Sequence, residues 1–245
     1  MARIVVFQHG PRQTAGRLGM TLRDHGFALD VRRVDIPIDQ GGHTVPEDLD
    51  GIHGVVSLGG PQNVDESHPW IRRETEFLKA AHEAQLPVIG ICLGAQLISV
   101  ALGGEVGRMD KPEAGFCTID VQFMGQTDRI LAGIAWRHFQ FQSHAYETKK
   151  MPAGATLLAS SGACKVQAYT VGLRTYAFQF HPELDRPAID AMVKAQGKLL
   201  GEAGIEPPTI SEQADKHYES YARLCDRLCL NIASYAFAPA ELLKA

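Results

Sequence analysis

A cysteine lies between two glycines in the segment Gly90-Ile91-Cys92-Leu93-Gly94, and this spacing could make a nucleophile. An apolar run, residues 87–89, precedes the segment and a helical pattern follows it, which predicts that Cys92 lies on a sharp strand-to-helix turn. Glycines two residues before and after the thiol suit a crowded turn. At a helix N-terminus, unpaired N–H groups and the helix dipole favour the reactive thiolate. A buried cysteine in a glycine-rich turn is the alternative interpretation.

The second candidate is a histidine with a carboxylate two residues after it. Alternating Phe178 and Phe180 indicate a strand, and Pro182 stops it, so His181 is predicted at a strand end. Glu183 can accept a hydrogen bond from one ring nitrogen, which leaves the other nitrogen for a thiol. A histidine satisfied within the core is the alternative at this point.

A third segment could stabilise the negative charge that develops on a carbonyl oxygen during acyl transfer. Residues 52–58 are predicted to form a buried strand that ends in Gly59-Gly60-Pro61, where backbone without side chains can approach a ligand. The Gly60 N–H and the Leu93 N–H could together form an oxyanion hole. Taken alone, Gly-Gly-Pro is more typical of an ordinary turn.

The elements that must position these residues alternate between strand and helix, which favours an open, mostly parallel α/β sheet. The predicted order is strand 3–8, helix 16–25, strands 28–34 and 54–58, a helix ending at 84, strand 87–91 and helix 93–102. Ser67 is predicted to cap the helix that ends at 84, with Pro69 in its first turn. Short β-like runs then predict added antiparallel strands at 117–123, 156–159, 165–170 and 176–180.

The C-terminal part differs in composition, so we predict a domain over 1–204 and a helical extension over 205–245. Pro207-Pro208 is predicted to break the chain before a long helix, with Thr209 and Glu212 as a capping box. Apolar residues recur along this helix at steps of four and three: Ala214, Tyr218, Tyr221, Cys225, Leu228, Ile232 and Tyr235. This stripe either packs on its own domain or docks on another copy or a partner subunit.

Composition excludes several classes of protein. The 245 residues carry 24 Lys and Arg against 28 Asp and Glu, with the charges scattered, so we expect no nucleic-acid partner. No run approaches the ~20 apolar residues of a membrane span. The first residues are already strand-like rather than typical of a signal peptide, which favours a cytoplasmic protein. Five cysteines without zinc spacing predict reduced thiols and no metal site.

Together these segments resemble the class I glutamine amidotransferase family, whose members use a Cys-His-Glu triad. The nucleophile motif is similar at 90–96, the histidine-glutamate motif at 178–183 and the oxyanion strand at 57–61. Within the family, the chain is most similar to the free-standing branch that resembles the glutaminase part of GMP synthetase. The segments at 101–104, 113–116 and 157–169 carry that closer similarity. The resemblance implies a flavodoxin-like open sheet.

The resemblance also assigns roles to individual residues. It implies that Cys92 is the nucleophile, His181 the base and acid, and Glu183 the group that orients the histidine. Gln96 matches a glutamine that helps to hold the substrate. Backbone at Gly59 and a loop that includes Ser143, His144 and Tyr146 would bind the substrate as well. The spacing before this loop, at 139–142, and the small residue Ala95 depart from the pattern of the family.

The expected reaction is hydrolysis of the glutamine side-chain amide through a γ-glutamyl thioester, without metal or organic cofactor. No P-loop pattern is present, so the ammonia would serve an acceptor on a separate polypeptide, such as a synthetase subunit. The same type of bond in a γ-glutamyl compound would be cut by a γ-glutamyl hydrolase or γ-glutamyl peptidase, and the triad does not distinguish them. A non-catalytic regulatory or binding subunit with the same fold is the alternative from a different class.

Overall fold

A computed structural model describes residues 1–65 and 67–237 of the chain. The strands are β1 (Arg3–Gln8), β2 (Ala28–Arg33), β3 (Gly54–Ser57), β4 (Val88–Ile91), β5 (Glu105–Val121), β6 (Arg137–Lys150), β7 (Ala155–Ser161), β8 (Ala168–Val171) and β9 (Thr175–Phe178). The helices are α1 (Gly16–Asp24), α2 (Pro69–Glu83), α3 (Leu93–Ala101), α4 (Phe123–Thr127), α5 (Arg186–Ala195), α6 (Gly197–Ala203) and α7 (Pro207–Asn231). Short 3₁₀ turns lie at Ile38–Gln40 and Arg129–Leu131, and a π-helical turn, Ile232–Ala236, follows α7.

Within the described residues, the strands form one nine-stranded sheet in the order β2-β1-β3-β4-β9-β8-β7-β5-β6. The first five strands of this order pair in parallel. From β9 onward every pair is antiparallel. The predicted parallel core with added antiparallel strands is therefore confirmed, and the carboxyl ends of β3, β4 and β9 meet at one edge of the sheet.

Helices cover both faces of the parallel part of the sheet, as its buried strands require. On one face, Leu18 and Leu22 of α1 share a hydrophobic cluster with Leu224 and Leu228 of α7. On the other face, Phe77 and Leu78 of α2 pack with the apolar residues of α3. Both helices that follow the site strands β3 and β4 thus lie on this second face.

The amphipathic stripe of α7 packs against its own chain. Five of its seven members are buried, Tyr218 is partly buried and Tyr235 is exposed. The stripe is therefore covered by its own chain and not by a second copy. The division into 1–204 and 205–245 stays a prediction, and residues 238–245 of the predicted extension lie outside the described part of the chain.

Two predicted helix starts were wrong. Helix α2 has His68 at its N-cap, and no side chain caps it, so Ser67 is not the cap. Helix α7 begins at Pro207, with Glu206 at the N-cap, so no capping box forms at Thr209. The two prolines start the helix rather than break the chain before it, because the first-turn N–H groups that proline lacks have no intrahelical partner.

The loop predicted at residues 143–146 was also wrong, because these residues lie within strand β6, while their role in binding substrate stays a prediction. This strand pairs along most of its length with β5, which is longer than the predicted run at 117–123. Helices α5 and α6 were not predicted at all. Among the described residues, no helix has the length and apolar character that a membrane span needs.

Candidate active site

Cys92 occupies the strand-to-helix turn between β4 and α3 in a strained backbone conformation, with φ 52° and ψ −107°. The flanking glycines are sterically required. A Cβ at Gly90 would lie 2.6 Å from the Gly94 carbonyl oxygen, and one at Gly94 would lie 2.0 Å from the Ser57 carbonyl oxygen. Close approach of the turn to β3 therefore aims the thiol outward at the N-terminus of α3, as the spacing predicts.

His181 lies three residues beyond β9 and is paired with Glu183. Its Nδ1 is 2.8 Å from Glu183 Oε1, and both side chains are only 2% exposed. The other ring nitrogen, Nε2, is buried and has no hydrogen-bond partner among the described residues. Because the carboxylate accepts from Nδ1, Nε2 is the nitrogen left for chemistry.

The thiol and the imidazole come together at Gly59, at the end of β3. A Cβ at this glycine would lie 3.1 Å from His181 Cε1 and 3.5 Å from Cys92 Cβ. Burial by itself lowers the pKa of His181, but the charges of Glu183 and Cys92 outweigh it and raise this pKa to about 10. The ring therefore carries a proton at neutral pH.

The backbone of His181 is fixed from two sides. Its N–H donates to the Phe141 carbonyl of β6 at 3.1 Å. Its carbonyl accepts a hydrogen bond of 2.5 Å from the hydroxyl of Tyr221, a buried residue of α7, which also donates to the Leu184 carbonyl at 3.1 Å. The sheet and the C-terminal helix thus hold the ring opposite Cys92.

A cavity of about 290 Å³ opens onto Cys92, and Gly60 and Leu93 line it. The Gly60 N–H forms no hydrogen bond with any described residue. Leu93 is the first residue of α3, where backbone N–H groups have no intrahelical partner. Two unpartnered donors beside the thiol fit the predicted oxyanion hole.

The predicted substrate-binding residues lie around the same cavity. Gln96 is buried and its Nε2 donates to the Tyr146 carbonyl at 2.9 Å and to Gln179 Oε1 at 3.1 Å. The Ser143 hydroxyl donates to Gln196 Oε1, and its carbonyl oxygen is 4.0 Å from Cys92 Sγ. The side chains of Gln96 and Ser143 are therefore held by other residues of the protein at the wall of the cavity.

The ring of His144 is buried and both of its nitrogens have partners. Nε2 is 3.2 Å from Glu113 Oε2, and Nδ1 is 3.0 Å from the Tyr146 carbonyl oxygen. The residue lines the cavity, but its ring offers a substrate no free nitrogen. One cluster brings potential metal-ligand atoms within 4.8 Å of one another, those of Glu113, His144 and Cys164. The carboxylate of Glu113 also accepts hydrogen bonds from Gln167 and Ser161. This cluster is a hydrogen-bonded network in which Cys92 takes no part, although His144 lines the same cavity.

The other cysteines differ from Cys92 in their surroundings. Burial raises the pKa of Cys117 to about 12. Burial likewise raises the pKa of each of the thiols of Cys164, Cys225 and Cys229. These four groups therefore stay protonated and unreactive at neutral pH.

Several groups around the cavity were not found from the sequence. Arg108, Lys198 and Glu202 line its outer part, and Arg108 forms an ion pair with Glu202 at 2.5 Å. His9 and Glu74 form a buried pair behind Gly59 and Gly60. No local spacing links these residues to the site, because their partners lie far away in the chain.

The chain is an α/β protein with a cysteine at a strand-to-helix turn beside a His-Glu pair. This combination of fold and site is of the amidotransferase type. The chain belongs to the class I glutamine amidotransferase family, since the model of that family, described as "Glutamine amidotransferase class-I", matches residues 15–195. The resemblance found in the motifs is thereby confirmed at the level of the family.

Individual relatives agree with this family assignment. The chain is 32% identical to a subunit of the glutamine-hydrolyzing GMP synthase of Pyrococcus furiosus over 203 residues, 81% of this chain and 99% of the relative. It is 31% identical to the protein of the same name from Thermoplasma acidophilum over 186 residues, 76% of this chain and 86% of the relative. A solved glutamine amidotransferase from Methylobacillus flagellatus has the same fold, with a TM-score of 0.82 and 22% identity, over 96% of this chain and 94% of that one.

Proposed function

We propose that this chain hydrolyses the side-chain amide of glutamine through a γ-glutamyl thioester on Cys92 and releases ammonia for an acceptor on a separate protein. One observation carries the proposal. The Nδ1 atom of His181 is bound to Glu183, and its Nε2 atom is buried, has no hydrogen-bond partner among the described residues and is left for Cys92 at the strand-to-helix turn.

The first half of the reaction forms the thioester. The Cys92 thiolate attacks the side-chain carbonyl carbon, a C–S bond forms, and the electron pair of the C=O bond moves to oxygen. The N–H groups of Gly60 and Leu93 hold this oxyanion, and removing one such donor typically costs about 10²- to 10³-fold in kcat. When the oxyanion collapses, the C–N bond breaks and the His181 imidazolium gives its proton to the nitrogen, which leaves as ammonia.

The second half regenerates the thiolate. His181, now neutral, takes a proton from water while the water oxygen attacks the thioester carbon. The second oxyanion collapses, the C–S bond breaks, and the product leaves as a carboxylic acid that gives its proton to solvent to become glutamate. The histidine is again protonated and Cys92 is again a thiolate, so protons and electrons balance over the cycle.

The acceptor of the ammonia is proposed to lie on another protein. The relatives are each named as one subunit of a glutamine-hydrolysing GMP synthase. These names support a separate synthetase or acceptor subunit, without assigning guanine nucleotide as its product.

A specific observation favours γ-glutamyl peptides as a second candidate substrate. The outer part of the cavity is lined by Arg108, Lys198 and Glu202, side chains that a bare amide nitrogen does not need. A γ-glutamyl peptide would place the charged groups of its second residue there. Hydrolysis of glutamine and of γ-glutamyl peptides is therefore compared directly in the test.

The test measures glutamate released by the purified chain from glutamine, γ-glutamyl amides and γ-glutamyl peptides. We expect release from glutamine, and loss of more than about 10³-fold in the Cys92→Ala variant because no thioester can form. Cys117→Ala is the matched control and should keep wild-type activity. A Cys92→Ala protein that retains hydrolysis contradicts the mechanism, and peptide cleavage without glutamine cleavage selects the second candidate.

Chemical labelling separates an enzyme from a protein with a purely regulatory role. A glutamine-like electrophile should label Cys92 alone, since the other four thiols are held protonated by burial. Mass spectrometry of the labelled peptides locates the modification. A wild-type chain that neither reacts nor hydrolyses any of these compounds would support the non-catalytic alternative instead.

A further inference from the structure

His9 is a fully buried histidine directly after β1 that the proposed reaction does not use. Its Nδ1 lies 3.0 Å from the Leu58 carbonyl oxygen and 3.2 Å from the Gly59 carbonyl oxygen. Its Nε2 lies 2.9 Å from Glu74 Oε2 on α2. Carbonyl oxygens only accept hydrogen bonds, so Nδ1 carries a hydrogen and donates it.

The surroundings of His9 favour a charged ring. Glu74 is also fully buried, and its second oxygen accepts a 2.6 Å hydrogen bond from the Ser57 hydroxyl. Burial by itself lowers the pKa of His9, but Glu74 and the two carbonyl groups outweigh it and raise this pKa above its usual value. Both ring nitrogens then donate, one to Glu74 and one to the 58–59 backbone.

The ring is also held in its plane. The indole of Trp70 stacks on it, with centroids 4.7 Å apart and an interplanar angle of 14°. A cation is attracted to an aromatic face, and this contact excludes water from one side of the imidazolium. The Gln62 side-chain amide donates to the His9 carbonyl at 3.0 Å, which fixes the backbone of the histidine as well.

The hydrogen bond to Gly59 has a geometric consequence on the other side of the peptide. The Gly59 C=O and the Gly60 N–H belong to one trans peptide, in which these two bonds point in opposite directions. Because the carbonyl faces His9, the N–H faces away from it. Gly60 lies between His9 and Leu93, since a Cβ on it would be 2.7 Å from His9 Cβ and from Leu93 Cδ2. The side away from His9 is therefore the cavity that contains Cys92.

A Gly-Gly dipeptide needs such a restraint. Glycine populates conformations on both sides of φ = 0, so the 59–60 peptide could rotate and turn its N–H out of the cavity without steric cost from side chains. A charged donor on the carbonyl side opposes that rotation, and hydrogen bonds to charged groups are worth roughly twice those between neutral groups.

We propose that His9 is a positioning residue: its imidazolium, held by Glu74, fixes the 59–60 peptide so that the Gly60 N–H points to the reacting carbonyl at Cys92. The orientation of the peptide is a statement about the chain itself. Its effect on turnover rests on the proposed function, in which Gly60 is an oxyanion donor.

The kinetic test uses His9→Gln, which keeps one donor but carries no charge. We expect kcat on the substrate that the wild type hydrolyses to fall about 10²-fold, as for a lost oxyanion donor, with KM within about twofold. Alkylation of Cys92 by iodoacetamide should keep its wild-type rate, because this displacement forms no oxyanion. The control is His138→Gln, a buried histidine of β6 whose Nδ1 bonds one carbonyl, that of Ala135, at 2.7 Å.

A second readout needs no activity and separates the two proposals. Crystal structures of the wild type and of His9→Gln should differ at the 59–60 peptide, with the Gly60 N–H turned from the cavity in the variant. Nitrogen NMR of the wild type should show both His9 ring nitrogens protonated at pH 7. If the wild type hydrolyses no γ-glutamyl compound, the proposed function fails while these measurements still decide the role of His9.

Three results would overturn the inference: a neutral His9 ring in the wild type, an unchanged peptide orientation in His9→Gln, or an unchanged kcat in that variant of an active enzyme. Glu74→Gln serves if His9→Gln does not fold. It keeps the shape of the side chain and removes the charge that holds the imidazolium, so it should lower kcat in the same direction with KM again preserved.

Discussion

The protonation of one ring connects the three groups of the candidate triad. Glu183 binds Nδ1 of His181 and leaves Nε2 on the side of Cys92, so the same carboxylate sets both the orientation of the ring and its charge. With a pKa raised to about 10, the ring is an acid at neutral pH in the resting protein. It can therefore protonate the leaving nitrogen without first collecting a proton from solvent.

This arrangement predicts the titration of His181. Glu183→Gln and Cys92→Ala each remove a charge that raises the pKa, so in either variant the pKa should fall from about 10 toward or below the ordinary 6.5. In the wild type, the proton should leave only as pH rises through about 10. Nitrogen NMR of the ring measures both values. Cys117→Ala is the control, and a wild-type ring that titrates near 6.5 would contradict this account.

At the residue scale, short spacing decided what could be predicted. His181 and Glu183 are two residues apart and Cys92 lies between glycines two residues away, so their chemistry is visible in the sequence. His9 was missed because Glu74, its partner, is 65 residues away. A lone histidine after an apolar strand carries no local sign of the carboxylate that charges it.

At the scale of strands and helices, too, local patterns could be predicted from the sequence and contacts with distant residues could not. The parallel strands and helices α1 to α3 follow apolar periodicity and were predicted within a few residues. Strand β6 was missed because buried polar side chains interrupt its pattern, and distant groups satisfy them. Gln142 donates to Gln167, Ser143 donates to Gln196, and Gln140 accepts from Cys225. Periodicity cannot reveal a strand whose buried positions are polar.

The close contact between the turn at Cys92 and strand β3 predicts what a larger residue at Gly94 would do. Gly94→Ala would place a Cβ 2.0 Å from the Ser57 carbonyl oxygen, a backbone atom that cannot rotate away. We expect the free energy of unfolding to fall by about 3 kcal/mol, at the upper end of ordinary overpacking. Denaturant titration measures it.

The matched control is Gly201→Ala in α6, where a Cβ would meet nothing within 4 Å. Alanine favours a helix interior over glycine by about 0.5–1 kcal/mol, so this variant should gain stability. Equal stabilities of the two variants would show that the turn at Cys92 has room for a side chain at Gly94.

On the scale of the whole molecule, the C-terminal helix completes the site from behind. Its apolar stripe covers the face of the sheet that α1 shares, and Tyr221 reaches from it to the backbone of His181 and Leu184. The stripe was predicted from the sequence, but not what it packs on, because a period of three and four specifies a face and not its partner.

Tyr221→Phe tests this support. The Leu184 carbonyl keeps a hydrogen bond from Arg17 Nε at 3.2 Å, whereas no other hydrogen bond from a described residue reaches the His181 carbonyl. Leaving that buried oxygen unsatisfied should lower the free energy of unfolding by about 1–3 kcal/mol. The fall in kcat should exceed any change in KM, because the variant displaces His181, the proposed acid and base, rather than the substrate pocket. Urea titration and steady-state kinetics measure both.

Tyr235→Phe is the control, since the Tyr235 side chain lies just beyond α7 and is 45% exposed. It should leave stability and turnover unchanged. If Tyr221→Phe matched Tyr235→Phe in both stability and turnover, helix α7 would not be what aligns His181.

The phenol of Tyr221 also orders events during synthesis of the chain. It follows His181 by 40 residues, so Cys92, His181 and the strands β1 to β9 have all been synthesised before Tyr221 is translated. Until Tyr221 is made and α7 packs, the growing polypeptide lacks the hydrogen bond that holds the His181 carbonyl.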